Sequence, residues 1–166
     1  MPTIHLVIGP VGAGKSTFVR SLTDRGHAIP LVLDDWMTTL YGDDERPADG
    51  RMAWYMARTQ RCLDQIWKTT EAVLATGVDV VLEVGLIQRA ARQSFYGRVD
   101  AGACELVVHV VDADRDRRRK RVMRRNESRG PTYSMHVSAE IFELASDLWQ
   151  PPGADEQADR DVRFVL

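Results

Sequence analysis

The stretch Thr3-Ile4-His5-Leu6-Val7-Ile8-Gly9-Pro10-Val11-Gly12-Ala13-Gly14-Lys15-Ser16 decides the fold. Its first six residues are a short, mainly apolar run that reads as a buried strand ending at Gly9. From Gly9 to Ser16 the chain matches G-x-x-x-x-G-K-[ST] in full. Helical sequence follows from Lys15 to about Asp24 and closes near Gly26. Strand, glycine loop and helix in this order suit a phosphate. Glycines reach positive φ and let backbone N–H groups approach an anion. The helix aims its N-terminus at the same anion. Lys15 supplies a cation for the β- and γ-phosphates, and the Ser16 hydroxyl is placed to ligate Mg²⁺. Gly9, Pro10, Val11, Gly12, Ala13, Gly14, Lys15 and Ser16, with Thr17 behind them, form the expected nucleotide-binding set.

Outward from this stretch, strands and helices alternate. Ala28–Leu33 reads as a second strand, interrupted in its ladder by Pro30. Asp35–Tyr41 supplies one or two helical turns, and residues 42–50 form an acidic loop. Residues 51–76 are a long helical stretch with Met52, Met56, Leu63, Ile66, Val73 and Leu74 at helical spacing. Val78–Val84 and Glu105–Val111 are further strands, and Gln88–Val99 is a helix between them. An Arg-rich helix over Asp114–Asn126 stops at Gly130-Pro131. Ser138 caps a helix to Trp149 whose apolar face is Ile141, Leu144, Ala145 and Leu148. Pro151-Pro152-Gly153 opens a polar turn, and Val162–Leu166 is a last strand. Such alternation implies a parallel sheet covered on both faces, within one domain over residues 1–166.

The 166 residues fit a single domain, and 44% hydrophobic with 28% charged residues is an ordinary globular composition. The net charge of −2 argues against a polycation built for nucleic acid. Cys62 and Cys104 form no metal-type cluster, so they suit a reducing cytoplasm as small buried hydrophobes. The chain shows neither a membrane-length apolar run nor a signal-like start, and the expected location is cytoplasmic. Charge is uneven along the chain: residues 114–129 carry a net +6, which leaves −8 for the remainder. The phosphates of a nucleotide are the economical partner for that basic block.

In an open parallel sheet, ligands bind beyond the carboxyl ends of the strands. Asp34 and Asp35 stand there after the second strand. A carboxylate near an acceptor hydroxyl would orient it and take its proton. Asp34 is the expected base and Asp35 the expected helix cap, with the reverse assignment still open. Glu83 near the end of the third strand must have a partner in so apolar a segment. That partner is a magnesium-bound water, the acceptor, or a basic side chain. Asp112, at the end of the fourth strand, suits lid attachment or helix capping, and His109 within it suits core packing. Arg118, Arg121, Arg125 and Arg129 recur at three or four residues and would share one helical face toward phosphates. Arg117, Arg119, Lys120 and Arg124 would be solvated. Arg51, Tyr55 and Arg58 share a face of the long helix that would line an acceptor pocket.

These residues resemble the small P-loop kinases, a group that includes 5′-hydroxyl polynucleotide kinases, zeta-type toxins, chloramphenicol phosphotransferase and gluconate kinase. The resemblance runs from about Thr3 to Leu148. Leu33-Asp34-Asp35-Trp36 is similar to the Asp-Asp-aromatic step of the polynucleotide kinases, which implies Asp34 as the base. Arg125-Asn126-Glu127-Ser128-Arg129-Gly130 is similar to their lid, which implies phosphate contacts for Arg125 and Arg129. The resemblance implies a three-layer α/β/α fold, a five-stranded parallel sheet of order 2-3-1-4-5, and a small Arg-rich lid over about residues 114–136. It also implies ATP and Mg²⁺ as cofactors. Met37 stands where polynucleotide kinases have Arg, and Glu83-Val84-Gly85 replaces their Asp-Thr-Asn. These departures favour a small hydroxyl-bearing acceptor over nucleic acid. A 5′-hydroxyl polynucleotide or RNA kinase, an ATP-binding regulatory module with slow hydrolysis, and a toxin acting on a nucleotide-sugar are the competing expectations.

Overall fold

A computed structural model describes residues 1–24, 26, 28–102, 104–128 and 136–165. The elements run β1 (Thr3–Ile8), α1 (Lys15–Thr23), β2 (Ala28–Val32), α2 (Leu33–Tyr41), α3 (Arg51–Leu74), β3 (Asp79–Glu83), α4 (Arg89–Asp100), β4 (Glu105–Val111), α5 (Arg115–Ser128), α6 (Ala139–Asp147), α7 (Ala154–Asp159) and β5 (Asp161–Val165). The five strands form one sheet in the order β2-β3-β1-β4-β5. Every pairing is parallel. The expected architecture is the observed one.

Side-chain alternation explains why the strands are apolar throughout. Ile4, Leu6 and Ile8 point to one face of β1 and Val7 to the other. The first face meets Val80, Leu82, Val108 and Val110 and packs under α2, α3 and α4 through Met37, Cys62, Ile66, Phe95 and Tyr96. The second face packs Val7, Val81 and Val111 against Val19 of α1. Both faces are covered, so the central strands expose almost nothing. Pro30 lies in β2, at the edge of the sheet, where one side of the ladder needs no N–H.

Some expectations are corrected. Residues 154–159, read as a polar turn, form α7. Its Glu156 is buried and accepts from Arg92 Nε and Nη2 of α4 at 2.8 and 2.9 Å. That ion pair, 64 residues apart in sequence, anchors a helix with no apolar stripe of its own. In α6, Ser138 caps as expected, accepting from Ile141 N. The buried face, however, is Phe142 and Ser146, while Ile141, Leu144 and Leu148 are exposed. The helix is rotated because Arg118 of α5 reaches Ser146 Oγ at 3.0 Å and sits over the Phe142 ring. Met52 and Met56 are also exposed; the first turns of α3 lie beyond the core that begins at Cys62. Cys62 is buried as expected, whereas Cys104 is only partly so. No helix among the described residues is long and apolar enough to cross a membrane.

Candidate active site

The register brings the carboxyl ends of the strands to one edge: Ile8 pairs with Val110 and Val32 with Glu83. The loop after β1, the start of α2 and the end of β3 therefore meet at the centre of that edge. The loop is held by backbone. Ala13 N donates to Pro10 O at 3.2 Å, and Phe18 N donates to Gly14 O at 3.1 Å. Gly9, Gly12 and Gly14 have φ of 154°, 78° and 106°. A Cβ on Gly9 would fall 1.9 Å from Val111 O, and one on Gly12 would fall 2.7 Å from Arg118 O. No residue but glycine fits these two positions.

Gly14 is the left-handed N-cap of α1 and no side chain caps the helix. The first-turn N–H groups thus keep no side-chain acceptor, the condition under which a helix start receives an anion. Lys15 Nζ donates to Pro10 O at 3.2 Å and lies 3.9 Å from Glu83 Oε1. Ser16 Oγ donates to Glu83 Oε2 at 3.5 Å. Burial pulls the Lys15 pKa down, opposed by the Glu83 and Asp34 charges. Burial pushes the Glu83 pKa up, with Lys15 opposing and Asp34 and Asp35 adding to the rise. Thr17 is exposed.

Asp34 and Asp35 lie in the first turn of α2, whose N-cap is Val32 with no side-chain cap. The expected capping role for Asp35 is corrected, because the helix starts at Leu33, which is buried together with Met37 one turn on. Both carboxylates still favour the positive end of the helix dipole. The Asp35 pKa is raised by burial, then by Asp34, against Arg20. Tyr55 of α3 is raised by burial and by Asp34. Asp34 therefore shares one field with Lys15, Glu83, Asp35 and Tyr55.

The arginines of α5 divide into three groups. Arg118, expected to face phosphates, is buried and structural: Nε donates to Ala113 O at 3.0 Å and Nη1 to Val11 O at 3.1 Å. Arg121 Nη1 donates to Ala13 O at 3.0 Å. Together they fasten α5 to the loop from behind. Arg119, expected to be solvated, donates to Glu143 and Asp116 at 2.7 and 2.8 Å, while Arg115 pairs with Glu143 and Asp147. The bonds to Glu143 and Asp147 clamp α5 to α6, while the bond from Arg119 to Asp116 lies within α5. Arg125 differs from both groups: its Nε is buried with no hydrogen-bond partner among the described residues, and its charge acts on Lys15. Arg129 lies outside the described residues, as does the part of the expected lid (about residues 114–136) over residues 129–135.

Asp112 does not cap α5. Its carboxylate accepts from Ala113 N and Trp149 Nε1 and lies 3.8 Å from Arg118; Asp114, accepting from Arg117 N at 2.8 Å, holds the helix start. His109 packs as expected, 3.1 Å from His5 Nδ1 and against Phe18. The expected face of α3 separates: Tyr55 lies within the field of Asp34, Arg58 stacks on Trp54 and Tyr41, and Arg51 is exposed and donates to Pro47 O.

The AAA domain family matches residues 4–152. The chain belongs to this family. Its fold is that of P-loop kinase-like proteins. The structure of the Pnkp1/Rnl/Hen1 RNA repair complex aligns with a TM-score of 0.71 at 16% identity, over 96% of this chain and 46% of that one. Kti12 from Chaetomium thermophilum, solved with ADP-AlF3, aligns at 0.67 and 14% identity, over 98% and 88%. A gluconokinase from Sinorhizobium meliloti 1021 aligns at 0.57 and 15% identity, over 99% and 82%. The chain thus spans less than half the length of the RNA-repair relative. Among curated proteins, none matches the sequence.

Proposed function

We propose that this protein transfers the γ-phosphoryl group of ATP to a hydroxyl of a small-molecule acceptor. The observation that carries the reading is the convergence of Lys15, Glu83 and Asp34 beside an uncapped helix start. The uncapped N–H groups and the glycine approach fit a triphosphate, and the Arg125 Nε without a partner fits its γ end. Lys15 would leave Glu83 for the phosphates, and Arg125 and Arg129 would stabilise charge developing during transfer. Asp34 orients the acceptor O–H. As the new O–P bond forms and the bond to the leaving ADP breaks, the hydroxyl proton passes to its carboxylate. The family and the kinase-like fold support nucleotide chemistry, while the acceptor class rests on the departures at Met37 and Glu83-Val84-Gly85.

Ser16 and Glu83 are the residues that would hold Mg²⁺, the first through its hydroxyl and the second through bound water. Among the described residues no cluster of three or more acidic, His or Cys side chains forms a metal cage. One hydroxyl and one carboxylate are the sparse donor set magnesium takes when it keeps waters and phosphates as its other ligands. The ion would supply charge neutralisation at the phosphates.

Incubation with γ-labelled ATP and a fractionated metabolite pool tests the reading. Labelled product should form with the wild type and vanish with Lys15→Ala and Asp34→Asn. Undiminished transfer by Asp34→Asn removes Asp34 as the base. Label appearing only on added 5′-hydroxyl oligonucleotide would replace the small-molecule reading with a polynucleotide kinase. Tight ATP binding with no labelled product in any fraction would mark a nucleotide-binding module instead.

A further inference from the structure

We propose that the acceptor carries a negatively charged group, a carboxylate or phosphate, and that Arg58 holds it at the outer end of the cleft. The inference rests on the kinase reading and names the charge class of its acceptor. The charges of Asp34, Asp35 and Glu83 act on one another at the inner end, where Lys15 donates to Pro10 O of the loop and stands 3.9 Å from Glu83. An anionic group placed there would be repelled; a neutral hydroxyl would not. The cations of the acceptor side lie further out. Arg58 of α3 lies over Trp54, its Cζ 3.8 Å from the ring centroid, and 5.3 Å from that of Tyr41. Arg46, in the loop between α2 and α3, acts electrostatically on Tyr55. Tyr55 in turn links this outer end to Asp34.

Arg58 is preorganised but under-satisfied. Its Nε is buried and makes no hydrogen bond among the described residues. Its Nη1 makes one long bond, 3.4 Å, to Trp54 O. The nearest carboxylate, Asp44, stands 3.7 Å from Nε, an ion-pair distance outside hydrogen-bonding reach. Two aromatic rings therefore fix the plane of a guanidinium whose donors have no strong acceptor, and a planar fork of this kind recognises carboxylate or phosphate. Asp44, partly exposed on the loop, is a weak internal occupant that a ligand anion would displace. Asp34 and Tyr41 sit at the two ends of α2, seven residues apart, or roughly 10 Å of helix rise. An acceptor that reaches both ends is the size of a six-carbon chain, with its hydroxyl on Asp34 and its anionic terminus at Arg58.

Three acyclic polyols that differ at one terminus form the probe: sorbitol 6-phosphate, sorbitol and 1-amino-1-deoxysorbitol. Binding is measured by calorimetry in protein saturated with a non-hydrolysable ATP analogue, so that the loop cannot take the probe's phosphate, and in proteins that retain Arg58 its ¹⁵Nε resonance is followed as well. The phosphate ester should shift that resonance and bind roughly tenfold or more tightly than sorbitol, with the amine weakest. Arg58→Met should remove the preference, Arg58→Lys should restore part of it, and Asp44→Asn should strengthen phosphate binding by freeing the guanidinium. A merely structural Arg58 would leave the Asp44→Asn affinity unmoved. Equal binding of the three probes, preference for the amine, or an Arg58 resonance indifferent to the phosphate ester overturns the inference. Failure of the ATP analogue itself to bind would instead strike the kinase reading.

Discussion

Glu83 and Lys15 face each other at 3.9 Å, both largely shielded from solvent, with Ser16 Oγ on the other carboxylate oxygen. The pair solves a problem posed by the sequence. A charge in an apolar strand and a charge in an apolar loop each cost free energy alone, and each lowers the cost of the other. It also holds Lys15 ready beside the place where phosphate charge is expected.

Glu83→Gln should separate these two roles. Lys15 loses its internal competitor, so affinity for ATP measured in EDTA rises. Phosphoryl transfer with magnesium falls, by about 100-fold if the carboxylate positions the ion's water or the acceptor. Calorimetry in EDTA and steady-state rates check the two halves. A variant with wild-type rates would reduce Glu83 to a partner for Lys15.

Arg125→Ala should lower kcat far more than it raises the KM for ATP. Its buried Nε has no hydrogen-bond partner among the described residues, which suits a contact made most strongly in the transition state. Removal of one such donor typically costs about 100-fold or more in kcat. Steady-state kinetics decide; an effect confined to KM would make Arg125 a ground-state contact.

The phosphate loop was legible from the first 16 residues, because the motif constrains both backbone and chemistry at one place; the sheet order followed from the family resemblance, since the alternation of strands and helices gives only the class. Asp34 was legible as a carboxylate after a strand. Other features were hidden by distance in sequence. The local signals at Ala154–Asp159 are slight, two acidic residues in the first turn and Glu156 accepting from Gly153 N; Glu156 holds the helix to the fold by reaching Arg92. Helical spacing picked Ile141, Leu144 and Leu148 as the buried face of α6, yet Arg118 draws Ser146 inward and turns them out. The same Arg118, which looked like a phosphate ligand, spends its donors on Val11 and Ala113 carbonyls. The pairing of Glu83 with a basic residue was among the sequence expectations, but only the register could show that this residue is Lys15.

Gly9→Ala should destabilise the fold by several kcal/mol. The new Cβ would stand 1.9 Å from Val111 O, a backbone atom that cannot give way without moving β4, and overlap of this kind lies in the large-effect class of substitutions. Gly77→Ala is the control, with φ +80° but nothing within 4 Å of the Cβ; it should cost only about 1 kcal/mol from the left-handed backbone. Urea denaturation of the two variants measures the contrast. Equal losses would mean that backbone conformation, and not the close approach of β4, sets the cost at Gly9.

Stability should fall as pH drops from 7.5 to 5.5, partly through His109. Burial, with the neighbouring His5 and Arg163 charges, lowers its pKa from 6.5 to about 4. The unfolded chain therefore binds the proton first. The contribution is complete above about pH 6.5 and declines as pH falls toward 4. Between 7.5 and 5.5 the linkage amounts to about 1 kcal/mol. His109→Leu should flatten that part of the profile in denaturant melts at the two pH values. An unchanged slope would place the sensitivity elsewhere.

The loop from Gly9 to Ser16 as the seat of a triphosphate is the claim on which the rest depends, and calorimetric titration with ATP and magnesium tests it most directly. The wild type should bind, and Lys15→Ala, still folded by circular dichroism, should bind roughly 10- to 100-fold more weakly, as expected for one charge-assisted contact. No heat of binding at millimolar ATP, or equal affinity in the two proteins, would contradict the account.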